Sequence, residues 1–165
     1  MFFRSVLFSF ISTATTPLLS LPHIISLLSN ATLSAEVNHQ LLLVALAHVQ
    51  TSHCSVSEQQ SICCACFDWF DRTTTPLREC IAQPADFGTR IASLRIVNTC
   101  LGTLSWQQIY SALDQNWKTR LGNTRIAVAD YFAEQLSKDF EAGLPPALVI
   151  AYLELMTTLT EGMHF

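Results

Sequence analysis

The chain has 165 residues, of which half are hydrophobic and 13% are charged. This composition excludes a disordered chain, which carries more charge and fewer apolar residues, and the length suits one domain with a substantial core. The formal net charge is −4, so there is no basic surface of the kind that neutralises the phosphates of nucleic acids. Five glycines and six prolines are too few for a turn-rich β-sandwich.

The chain begins with an apolar segment. A block of aromatic and aliphatic residues follows Arg4, and it is interrupted by serines and ended by Pro17. It is shorter than the ~20 apolar residues that a membrane-spanning helix needs. The pattern indicates either a first helix that caps the core or a targeting segment. We therefore divide the chain into residues 1–16, a capping helix or targeting segment, and residues 17–165, a single all-α domain.

The rest of the chain predicts a series of amphipathic helices. Apolar residues recur at intervals of three and four, as in Leu21, Ile24 and Leu28. Ser55 and Glu58 have the spacing of a capping box, which starts a helix. No segment alternates with period two, so the predicted fold class is all-α. The predicted helices cover residues 18–29, 34–50, 55–71, 76–82, 90–101, 105–121, 124–141 and 146–160.

One four-residue sequence occurs twice. Residues 89–92 read Thr-Arg-Ile-Ala, and residues 124–127, thirty-five positions later, read the same. The positions that follow are also similar, since Leu101 corresponds to Leu136. A helix-pair period of this length is typical of α-solenoids, in which each pair of helices buries its apolar face against the next pair.

Several segments resemble HEAT and armadillo repeats. Residues 21–29 (LPHIISLLS), the Glu36-Val37 pair and residues 42–49 resemble the helix pair of such a repeat. Residues 123–136 resemble the second helix of a HEAT repeat. Together these segments cover about half of the chain. The resemblance implies stacked helix pairs, that is, a short α-solenoid with a concave binding surface; the alternative is a compact helical bundle in which the four-residue match is accidental.

The cysteines raise the question of a metal site. Cys63 and Cys66 form a C-x-x-C sequence, and His53, Cys54 and Cys80 are further candidate ligands. A structural zinc site usually combines two such pairs, and the second pair is missing. We therefore predict no metal and no cofactor. The cysteines are interpreted as reduced, mostly buried thiols, which favours a cytoplasmic or nuclear location, with an N-terminal targeting segment as the alternative.

Catalytic patterns are weak. A cysteine nucleophile needs a histidine close in space, and no known signature surrounds any cysteine. Asp130 and Glu134 share one helix face and could serve acid–base chemistry, but Lys138 lies four residues after Glu134, the spacing of an ordinary helix ion pair. Trp106, Tyr110 and Trp117 are spaced as a core face. An enzyme with a cysteine or carboxylate site is kept as an alternative function.

The leading hypothesis is a non-enzymatic helical module that binds another protein, as an adaptor or scaffold. The residues expected to contact the partner are Arg90, Arg95, Arg125, Asp130 and Glu134, because arginine is enriched at binding hot spots and these positions lie beside the repeated apolar stripe. The expected partner is a protein helix or extended segment, in a homo-oligomer or a larger complex. We expect no nucleic acid partner. Membrane association is not expected, except through the N-terminal segment.

Overall fold

The computed structural model describes residues 19–30, 33–51 and 53–161. Within these ranges the secondary structure consists of helices, without strands, which confirms the all-α prediction. The predicted capping or targeting segment, residues 1–16, lies outside the described residues. The helices are α1 (Leu21–Leu28), α2 (Ala35–Thr51), α3 (Val56–Arg72), α4 (Thr74–Arg78), α5 (Pro84–Cys100), α6 (Trp106–Ala112), α7 (Gln115–Leu121), α8 (Arg125–Ala142) and α9 (Pro146–Thr160).

Local capping explains where most helices begin. Ser55 and Glu58 form the predicted capping box, in which each residue's side chain accepts a hydrogen bond of 3.1 Å from the other's backbone N–H. Thr124 caps α8 by accepting from the backbone N–H of Ala127 at 3.1 Å. These helix starts depend on residues three positions apart, so the sequence alone identifies them.

Three predicted helices have other bounds in the structure. The short helix predicted over residues 76–82 is α4, Thr74–Arg78. Helix α5 begins at Pro84 rather than at Arg90, because proline fits the first turn of a helix and the carboxylate of Asp86 accepts the N–H of Gln83 at 2.9 Å. The helix predicted over residues 105–121 is two helices. Asp114 divides it, since its carboxylate accepts the N–H of Trp117 at 2.9 Å and so starts α7 as an N-cap.

Helix α5 lies at the centre of the domain. It packs against α2, α3 and α9, while α8 packs against α9 and α4. Its buried residues lie on several faces, as expected of a helix with neighbours on more than one side. Its neighbours therefore come from both ends of the part of the chain that the structure describes.

The two copies of the repeated sequence occupy different environments. Thr89 lies within α5 and is 2% exposed, whereas Thr124 is the exposed N-cap of α8. Arg90 is completely buried, whereas its counterpart Arg125 is partly exposed, and Ile91 is partly buried, whereas Ile126 is 53% exposed. The repeat therefore does not mark equivalent positions in two structural units.

The aromatic stripe at 106–117 belongs to the core, as predicted. Trp106 and Trp117 are 2% and 3% exposed. Their rings lie 6.2 and 5.4 Å from that of Phe67 on α3, measured between centroids. This aromatic cluster fastens the short helices α6 and α7 to α3, at distances where such pairs are attractive.

Gly88, inside α5, permits close packing against α2. A Cβ atom at this position would lie 2.3 Å from Cε1 of His39. Replacing glycine by alanine in a helix interior normally stabilises it by roughly 0.5–1 kcal/mol. Here we expect Gly88→Ala to lower the free energy of unfolding by about 1–3 kcal/mol, because the packed site becomes overfilled. Urea denaturation followed by circular dichroism measures the change.

The matched control removes the clash. In the His39→Ala background, Gly88→Ala should be neutral or stabilising, because the imidazole is gone. A stability gain from Gly88→Ala in the wild-type background would show that the ring moves aside at no cost and would contradict the prediction.

Candidate interaction surfaces

Arg90 is the most buried charged group of the expected binding residues. Its side chain and that of Asp139 on α8 are both 0% exposed, and Nη2 lies 2.7 Å from Oδ2 of the carboxylate. Nη1 donates to the backbone oxygen of Phe70 at 2.6 Å. It also donates to the hydroxyls of Thr73 and Thr74, at 3.1 and 3.0 Å. The guanidinium lies over the Phe70 ring, 3.6 Å from its centroid.

Asp139 receives two further donors. Nε of Arg78 on α4 lies 2.9 Å from Oδ1, and the hydroxyl of Tyr152 on α9 donates to Oδ2. Burial raises the pKa of Tyr152, so the phenol stays protonated and remains a donor. Asp139 thus connects α4, α5, α8 and α9, and its carboxylate accepts from two guanidinium groups and one phenol hydroxyl. We call this set of side chains the Asp139 network.

The expectation that Arg90 contacts a partner is therefore wrong. A side chain with no exposed surface cannot reach another molecule, and its donors are used inside the core. Arg125 is also occupied. It donates to the backbone oxygens of Thr158 and Leu159, at 2.5 and 3.0 Å, and so satisfies carbonyls that the last turn of α9 leaves free. Its observed contacts hold α8 against α9.

Arg95, Asp130 and Glu134 are exposed, as a surface role requires. Glu134 forms the predicted ion pair with Lys138, at 2.9 Å, and this hydrogen bond lowers the pKa of the carboxylate. Exposed pairs of this kind contribute little to stability. Arg95 forms no ion pair with any residue in the described ranges.

Asp130 and Glu134 line a groove between α7 and α8. The groove has a volume of about 370 Å³ and is also lined by Arg120 and Tyr131. Arg120 lies over the Trp117 ring, 3.9 Å from its centroid, and donates to Asp71 and to the hydroxyl of Tyr131 at 2.9 and 3.0 Å. Sequence reasoning missed Arg120 and Tyr131, because they lie on different helices and no local spacing joins them.

A second groove lies between α5 and α9. Its volume is about 400 Å³. Two large apolar side chains of α9 border it, Ile150 and Leu153, which are 49% and 50% exposed. The groove is lined by Asn98, Ile150, Leu153, Glu154, Thr157 and Thr158. Ala147 and Thr157 continue the line of exposed residues at its two ends; we call Ala147, Ile150, Leu153 and Thr157 the α9 strip.

The sequence itself carries a signal for this surface. Glu154 is the only charged residue among the fifteen of α9, although one face of the helix is exposed. An outer helix of a single domain normally carries charged and polar residues on its solvent face. The predicted residue Arg95 precedes Asn98 by three positions on α5, and residues at this spacing are neighbours on a helix surface.

Every cysteine with a resolved pKa shift has a raised pKa. Cys63, Cys66 and Cys100 are buried, and all six thiols are free. Burial raises the pKa of Cys66 and, to about 11, that of Cys64, whereas a nucleophilic cysteine requires a lowered pKa. Within the described ranges, no group of three or more His, Cys, Asp or Glu residues could hold a metal ion.

Comparisons with models of protein families, with curated proteins and with solved structures found no match. The resemblance to HEAT and armadillo repeats remains a prediction, and function is inferred from the two grooves. Among the described helices, none is both long enough and apolar enough to cross a bilayer.

Asp139→Asn should destabilise the domain strongly. The substitution leaves the buried guanidinium of Arg90 without its counter-ion, and breaking a buried pair from one side costs about 3–5 kcal/mol. Urea denaturation of the variant measures the loss. Glu134→Gln on the same helix is the control and should leave the unfolding midpoint nearly unchanged. Similar midpoints for both variants would show that the Asp139 network does not stabilise the fold.

Thiol labelling should separate the cysteines by burial. At neutral pH we expect a thiol reagent to modify the exposed Cys80 quickly. Cys63, Cys66 and Cys100 should react only as fast as the protein unfolds, because their thiols are buried and inaccessible to the reagent. Mass spectrometry of the digested protein assigns each site. Cys80→Ser should remove the fast phase. Fast modification of Cys66 in the native protein would contradict this prediction and support the alternative of an enzyme with a cysteine site.

Proposed function

We propose that this protein is a non-enzymatic interaction module, an adaptor or scaffold, that binds another polypeptide through the α5–α9 groove. The observation that carries the proposal is the α9 strip. Ile150 and Leu153 are half exposed beside a concave surface of about 400 Å³, and apolar side chains grouped around a groove are a mark of protein–protein contact.

The side chains that line the groove favour the binding of a polypeptide over catalysis. Its lining residues carry one ionisable side chain, Glu154, so it lacks the pair of titratable groups that general acid–base catalysis uses. Aliphatic side chains and threonine methyl groups instead offer an apolar surface. An amphipathic helix could fill it with its own apolar face, which is a common mode of peptide recognition.

The α7–α8 groove is less suited to be the main contact. Asp130 and Glu134 lie at its edge and are solvated, and Arg120 is already engaged by Asp71 and Tyr131. A partner would have to displace those hydrogen bonds. Rim charges mainly affect association rate and salt dependence, so this groove fits a role in orienting a partner held elsewhere.

A photo-crosslinking residue in place of Leu153 tests the groove directly. Irradiation in cells should yield a covalent adduct with a second polypeptide, which mass spectrometry identifies. The same residue in place of Ile81, which is 65% exposed after α4, is the matched control and should yield no such adduct. Adduct patterns that are the same at both positions, or no adduct at position 153, would contradict the proposal.

A further inference from the structure

We infer that the polypeptide in the α5–α9 groove is a second copy of this chain, related to the first by a two-fold axis. This inference rests on the proposed function, because it names the occupant of the same groove. In a two-fold contact each surface patch meets its own copy, so the patch must be complementary to itself. Two observations meet that requirement.

The first observation is the pair of opposite charges beside the groove. Arg95 on α5 and Glu154 on α9 are exposed, and neither forms an ion pair with a residue in the described ranges. When two copies meet about a two-fold axis, Arg95 of each copy can face Glu154 of the other. The patch therefore supplies both members of two identical ion pairs, which fix the orientation of the contact.

The second observation is the apolar content of the α9 strip. Ile150 and Leu153 project from one helix, and the groove runs along the same helix. Antiparallel α9 helices would place Leu153 of one copy beside the groove of the other. Both copies then cover their half-exposed apolar surface in the same contact, which is the main favourable term in association.

The α7–α8 groove offers a useful contrast. Its exposed rim carboxylates, Asp130 and Glu134, have the same sign, and Glu134 is already paired with Lys138. Two copies meeting through that groove would bring like charges together, which disfavours the contact. Charge complementarity therefore selects the α5–α9 groove for self-association.

Sedimentation equilibrium of the full chain tests the inference. The expected mass of the wild-type protein at micromolar concentration is twice 18.4 kDa. Leu153→Glu should give the single-chain mass with an unchanged circular dichroism spectrum, because a charge in the apolar contact opposes its burial. Ile81→Glu places the same charge on an exposed apolar residue elsewhere and should remain a dimer.

Charge exchange provides a test that does not depend on removing apolar surface. Arg95→Glu alone, or Glu154→Arg alone, should weaken the dimer at least about tenfold, because each places like charges opposite each other. The double variant Arg95→Glu/Glu154→Arg should dimerise as the wild type does. An equimolar mixture of the two single variants should form mixed dimers, since the mixed dimer contains one ion pair of native polarity and one of reversed polarity.

The outcomes separate this inference from the proposed function. A wild-type protein that stays monomeric at 100-fold higher concentration overturns self-association. If Leu153 still crosslinks to a different polypeptide, the interaction module stands without it, and if it crosslinks to nothing, both fail. A dimer that survives Leu153→Glu and both charge reversals would place the interface elsewhere and would also overturn the inference.

Discussion

The buried ion pair between Arg90 and Asp139 is the interaction on which the arrangement of the helices depends. It joins the central helix α5 to α8, and its hydrogen bonds extend to the end of α3, to α4 and to α9. A charge inside a protein is tolerated only when it is paired and hydrogen-bonded. Every donor and acceptor of this pair needs its partner in place, so the network favours one packing of these helices over others of similar apolar content.

The distribution of charged and apolar side chains between core and surface is unusual in this domain. A complete guanidinium–carboxylate pair lies in the core, while two large aliphatic side chains of α9 face outward. Both features involve α9, because the hydroxyl of its buried Tyr152 donates a hydrogen bond to Asp139. The Asp139 network anchors the inner face of α9 and thereby presents Ile150 and Leu153 in a fixed position. A rigid apolar strip loses less conformational entropy on binding than a mobile one.

The predicted site residues show what a local sequence pattern can and cannot identify. Arginine can serve a hot spot or a core ion pair, and the residues around Arg90 in the sequence do not distinguish these roles. What decides is Asp139, forty-nine positions away, which belongs to another helix. For Asp130 and Glu134 the spacing of four correctly placed them on one face of α8, but the groove they line is completed by α7. The low charge of α9 can be read from the sequence, but only the structure shows that one face of this helix is exposed.

By itself the sequence determined the helical class, most helix ends and the aromatic core face, because these depend on residues one to four positions apart. Capping by Ser55 and Thr124 and the stripe of Trp106 and Trp117 are of this kind. The division at Asp114 and the early start at Pro84 were decided by hydrogen bonds that compete with the apolar pattern. Only the tertiary structure decided that α5 is central, that Arg90 is buried and that α9 leaves an apolar face outside. These properties arise from contacts between residues far apart in the sequence, and the spacing of residues within one helix does not reveal such contacts.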